Sequence, residues 1–204
     1  MEPKTERDPR ADFLQVYNSS VNRRDGAVAM LKWLDRETDF FTAPASTNKH
    51  LAHPGGLAVH SLNVWRRLRE ITVRDILKGG PGELWPETEE TVAVLGLLHD
   101  VCKVGVYHKA DPFKAVLENK LDPYTFRDPF PLGHGEKSLF LITRHMALTE
   151  EEALAIRWHM GAYDDAVKGG SRSMTEAMNL SPWVWRLQEA DMCAAWIDER
   201  GATE

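Results

Sequence analysis

Residues 91–100 read TVAVLGLLHD, a run that is apolar on every side until it ends in a histidine and an aspartate. A helix apolar all round is a helix buried all round, so this stretch predicts a central core helix. Its start falls near Pro86, whose fixed φ suits a first helical turn, and the acidic Glu87, Glu89 and Glu90 complement the helix dipole there. His99 and Asp100 therefore stand at the inner end of that helix. An isolated carboxylate does not stay ionised in such a place, so Asp100 requires a cation or an ion-pair partner.

Working outward, apolar residues recur at helical spacing on both sides of the run. A helix is expected from Leu57 to about Leu77, with Leu57, Val64, Leu68 and Ile71 on one face and His60 on that same face. Helices are also expected over Phe13–Leu34, with an interruption between Asn18 and Asp25, and over Glu136–Met146. Thr149 and Glu152 have the spacing of a capping box, which opens the helix of TEEEALAIRWHM and places His159 near its end. After a loop rich in Gly, Asp and Ser, a last helix runs from Ser181 and Pro182 to Ile197, with Asp191 among Leu187, Ala194 and Ala195. Between these lie a loop, FFTAPASTNKHLAHPGG, and the segment Val104–Gly135. That segment scatters Pro112, Pro123, Pro129 and Pro131 among aromatic and basic residues and has no clear period.

The chain has 204 residues, 43% of them hydrophobic, enough for a single core. One domain is expected over 13–204, its core over 49–197, with residues 1–12 frayed. A net charge of −6 argues against general affinity for nucleic acid, which needs clustered Lys and Arg. No apolar run is long enough to span a bilayer or to act as a signal peptide, so no membrane partner and a cytoplasmic location are expected. Cys102 and Cys193 are too few for a disulfide framework or a thiolate zinc site and read as buried thiols. The oligomeric state is left open.

Six side chains of metal-ligand type occur in the order His60, His99, Asp100, His134, His159, Asp191. Each has an ordinary explanation when taken singly: a hydrogen-bonded histidine, or Asp191 paired with Arg186. Their coincidence, with the adjacent pair on an apolar helix, points instead to an N/O metal shell that leaves positions open for water, which is a catalytic kind of shell.

The order of His60, His99–Asp100 and Asp191 resembles the HD-domain metal-dependent phosphohydrolase superfamily, and HDVCKVG is similar to its HD-x-x-K signature. The resemblance covers about Lys49 to Ile197. The stretches HPGGLAVHS and LGHGEKS are also similar to HD-type 3′→5′ exoribonucleases of bacteria, and His134 and His159 match the six-ligand, two-metal version of the fold. The resemblance implies an all-α helical bundle with a long irregular insertion between the central metal helix and the next. It implies a first metal on His60, His99, Asp100 and Asp191, and a second on Asp100, His134 and His159, with Asp100 bridging and a water between the metals as nucleophile. Mn, Fe, Co or Ni suit such ligands, with Mg admissible. Lys103 is expected to bind a phosphate oxygen. The implied activity is phosphomonoester or phosphodiester hydrolysis on a small phosphorylated substrate, a nucleotide first.

The RNA-degrading relatives carry a nucleic-acid-binding module with no counterpart here, and the GYP signature of diguanylate-degrading relatives is missing after the HD pair. Two other readings use the same ligands: an HD-type exonuclease, and a di-iron oxygenase similar to inositol oxygenase. A non-catalytic ligand sensor fits less well, since it has no need of the full set. His50 and His53 flank the PGG turn and are candidates to line the pocket, while Lys109, Lys120 and Arg127, set among Tyr107, Phe113 and Tyr124, are candidates for substrate recognition. Glu136 reads as a partner for a ligand histidine or as a helix N-terminal acid. His108 and His145 read as surface residues, and the tryptophans as packing anchors.

Overall fold

The computed structural model describes residues 8–21, 25–78, 82–111 and 123–200. They form an all-α bundle of α1 (Pro9–Ser20), α2 (Ala27–Glu37), α3 (Gly56–Leu77), α4 (Pro86–Leu98), α5 (His134–Thr143), α6 (Glu150–Trp158), α7 (Asp165–Lys168), α8 (Ser173–Leu180) and α9 (Pro182–Cys193). A short antiparallel hairpin, β1 (Tyr107–Lys109) with β2 (Tyr124–Phe126), pairs Tyr107 with Phe126 and Lys109 with Tyr124.

The all-apolar helix is central, as its composition predicts. From Val92 to Leu98 every side chain of α4 is fully buried. Gly96 sets how near α3 comes, because a Cβ there would lie 2.3 Å from the Cα of Trp65. On the far side, Thr91 donates a hydrogen bond to the buried Glu152 carboxylate at 2.9 Å. Glu152 also completes the capping box with Thr149. That carboxylate thus both starts α6 and fixes it against α4. α9 packs across α3 and α6, and a smaller cluster of Trp158, Ala177 and Val184 seals its outer side.

Several expectations are corrected. The first helix begins at Pro9, not after residue 12, because Asp8 accepts from the backbone N–H of Arg10 and the proline takes the first turn. The loop expected before α9 contains α8, too short to show a period but held by Ala177 in the small cluster. The segment expected to be irregular carries the hairpin, while Phe113 and Lys120 lie outside the described residues. His145 is half-buried rather than superficial and stacks on Trp33 at a centroid distance of 4.7 Å.

Candidate metal centre

Three of the histidines owe their orientation to hydrogen bonds made by Nδ1. His99 and His159 both sit at the C-terminal ends of helices, where the last backbone carbonyls lack helical partners. His99 Nδ1 donates to the carbonyl of Gly96 at 3.1 Å, and His159 Nδ1 to that of Ile156 at 2.7 Å. His60, one turn into α3, has no free carbonyl to use; its Nδ1 donates to the carboxylate of Glu199 at 3.1 and 3.2 Å. In all three Nε2 therefore points the other way, and all three Nε2 atoms are buried with no hydrogen bond among the described residues.

Those nitrogens converge on Asp100, which is 3% exposed. Its Oδ2 lies 3.4 Å from His60 Nε2, 3.6 Å from His99 Nε2 and 2.7 Å from Lys103 Nζ. Its Oδ1 lies 2.6 Å from His134 Nε2 and 3.5 Å from His159 Nε2. Asp191 approaches from α9, with Oδ1 3.2 Å from His60 Nε2 and 3.9 Å from His99 Nε2. One carboxylate thus gives one oxygen to each of two histidine groups, and the second carboxylate serves the first group alone. Gly135 permits the second group: a Cβ there would stand 2.1 Å from the Arg157 carbonyl, so only a glycine lets the start of α5, with His134, rest on the end of α6, with His159.

Electrostatics follow from this crowding. Burial opposes the charged form of Asp100, but Lys103, His99 and His134 outweigh it and hold its carboxyl well below the usual range. Burial likewise opposes charge on His60, yet Asp100, Asp191 and Glu199 raise it well above an ordinary histidine. Burial pushes His99 down to about 4. Four imidazoles and two carboxylates, three of whose inward nitrogens have no hydrogen bond, form a donor set that could hold divalent cations.

The sequence profile of the HD domain matches residues 57–196, a span that includes all six of these side chains. The chain belongs to the HD domain family. HD domains bind divalent metals, and their superfamily is one of metal-dependent hydrolases. No curated protein and no solved structure gives a significant match.

In this HD domain a cavity of about 290 Å³ opens over the histidines, lined by Asp100, Lys103, His134, His159 and Asp191 together with residues from three other segments. Ala45, Ser46, Lys49 and His50 come from the loop before α3, Met160 and Tyr163 from the turn after α6, and Met192, Ala195 and Trp196 from the end of α9 and beyond. His50 therefore does reach the pocket, where burial and the neighbouring His60 and Lys103 push its pKa down to about 4. His53 does not: it is exposed, and its ring bonds the Pro54 carbonyl at 3.0 Å, which orients the turn. Lys109 and Arg127 are exposed on the hairpin and do not line the cavity; among the described residues of the hairpin, Tyr107 reaches it. Lys120 lies outside the described residues. Glu136 bonds no histidine but pairs with Arg157, which also holds Asp164 at 2.7 Å. Arg186, the alternative partner of Asp191, instead meets Asp75 at 3.1 Å.

Glu199 was not found by sequence reasoning. It lies past the matched span in a charged IDER stretch, where the expected exit of the last helix gives no cue that a carboxylate turns inward. Tyr163, Met192 and Trp196 were likewise missed as pocket residues, because aromatic and Met side chains at helical spacing read as core.

Proposed function

We propose that this HD domain is a metal-dependent phosphohydrolase acting on a small phosphoester, with a single nucleotide as the preferred class. The observation that carries the reading is the two-sided presentation of Asp100, one oxygen toward His60 and His99 and the other toward His134 and His159. A shared anionic ligand is what two close cations need to offset their repulsion. On this reading His60, His99, Asp100 and Asp191 hold one metal, and Asp100, His134 and His159 the other. When bound, such a pair supplies Lewis acidity toward a phosphoryl oxygen and lowers the pKa of water.

The chain's own groups do the rest. Lys103, paired with Asp100 at 2.7 Å and on the cavity wall, brings a cation to the place where phosphate oxygens gain charge. Asp100 and Asp191 raise the Lys103 pKa against the pull of burial, so it stays charged. Lys49 at the rim adds a second positive charge, while Tyr163, Met160, Met192 and Trp196 offer an apolar wall for the organic part of the substrate. An apolar wall of that kind suits a nucleobase, which favours a nucleotide among small phosphoesters.

A panel of mononucleotides, cyclic dinucleotides, short single-stranded RNA and DNA and a generic phosphodiester, each with Mn²⁺, Mg²⁺, Co²⁺ or Fe²⁺, tests this. Metal-dependent phosphate or nucleotide release is expected, strongest on mononucleotides. Dioxygen uptake with an organic substrate and no phosphate released would overturn it in favour of di-iron oxygenase chemistry. Preferential shortening of RNA would favour an exonuclease.

A further inference from the structure

We infer that Glu199 is a positioning residue for the metal centre, delivered to it by a π turn that re-phases the end of the last helix. The inference rests on the metal-holding role proposed for His60. α9 ends at Cys193 and is continued by a π turn over Ala194–Asp198, closed by the Glu199 N–H on the Ala194 carbonyl at 3.1 Å. An α turn takes about 3.6 residues, and a π turn, with its i→i+5 bond, takes about one more. One turn of each carries the chain from Asp191 round to Glu199 on the same face. An uninterrupted α-helix would bring Asp198 there instead. As built, Asp198 faces away and pairs with Arg67, while Ala195 and Trp196 line the cavity and Glu199 goes inward.

Once inward, Glu199 is 2% exposed, and burying a carboxylate is costly unless it is bonded. It accepts from His60 Nδ1 at 3.1 Å and from Asn63 Nδ2 at 3.0 Å, both on α3. His50 Nε2 faces its other oxygen at 3.9 Å. The bond to His60 has a specific consequence. It fixes the ring's rotation and keeps a proton on Nδ1, so that Nε2 is aimed at Asp100 and Asp191. A carboxylate behind a ligand histidine also makes its free nitrogen a stronger donor to a cation. His99 and His159 have only neutral carbonyls behind them, so His60 is the histidine of the three whose donor strength is raised by a full charge. Glu199 does not touch the cavity; it acts through His60.

The test is metal affinity, measured by competition with a chromophoric chelator and by elemental analysis, on the wild type, Glu199→Gln, Glu199→Ala and Asp198→Ala. Glu199→Gln keeps an acceptor oxygen and removes the charge; Glu199→Ala removes both. The affinity of one metal equivalent is expected to fall by about 10-fold in the first and up to about 100-fold in the second. The other equivalent, held by His134 and His159, should change little. Asp198→Ala breaks the ion pair that anchors the same turn without touching His60, and should leave both affinities within about 3-fold. Equal losses in Asp198→Ala and Glu199→Gln would make the role structural and overturn the inference, as would unchanged affinity in Glu199→Ala. A wild type that binds no metal would instead overturn the proposed function beneath it.

Discussion

The histidine cradle and the hairpin after it are both rich in polar and aromatic residues, yet they are built on opposite principles. In the cradle His60, His99, Asp100, His159 and Glu199 are buried and His134 and Asp191 half-buried, and each histidine with a backbone or carboxylate partner behind Nδ1 turns that partner's way and leaves one nitrogen facing inward. On the described part of the hairpin, Lys109, Arg127 and Phe126 are exposed, and Tyr107 lines the cavity. Chemistry-bearing residue types are present in both; burial against rigid helices is what makes one of them a site.

Asp100 is where the comparison breaks most completely. Asp100→Asn keeps the volume but removes the charge faced by four histidines and Lys103, and activity should fall by at least about 10³-fold with both metal equivalents weakened. Elemental analysis beside steady-state kinetics checks this, and retention of either metal at wild-type affinity would contradict the bridging role. Lys103→Ala should lower kcat by about 10²-fold while metal content persists. Metal lost in parallel would mean that Lys103 serves only to neutralise Asp100. Trp196→Ala, on the apolar wall, should raise KM for a nucleotide by about 10-fold and spare a small generic ester, the order expected from one ring contact. The smallest effects belong to the hairpin. Lys109→Ala and Arg127→Ala, each on an exposed side chain away from the cavity, should leave kcat/KM within about twofold on either substrate. A nucleotide-specific loss there would show that the hairpin does contact substrate.

What the sequence made legible follows the same division. Asp100 stood out because a charge at the end of an all-apolar helix has no cheap local explanation, and the Thr149–Glu152 box because capping depends on spacing alone. Glu199 and the cavity wall were hidden because their placement depends on the π turn, and a change of helical phase after Ala194 leaves no mark in a pattern of apolar positions. His50 and His53 look equivalent around the same turn. Only the folded loop distinguishes them, with Ser46 Oγ bonding the His50 carbonyl at 2.8 Å and His53 turned onto Pro54. The hairpin's residues stay ambiguous in sequence for the converse reason, since interleaved rings and bases suit a binding surface and a solvated strand pair equally well.

The bond between His60 and Glu199 joins positions 139 residues apart, and this bears on how the molecule comes into being. Most helices of the bundle acquire their backbone bonds locally, and synthesis at about 5–20 residues per second leaves them time to do so. The cradle has no local precursor: it exists only after the turn that carries Glu199 has swung back over α3, a long-range closure of the kind that folds late. On the reading proposed above, a cation would be held only after that closure. A cation at about a thousand times its dissociation constant would then hold the two ends of the domain together with about 4 kcal/mol that the nascent bundle does not have.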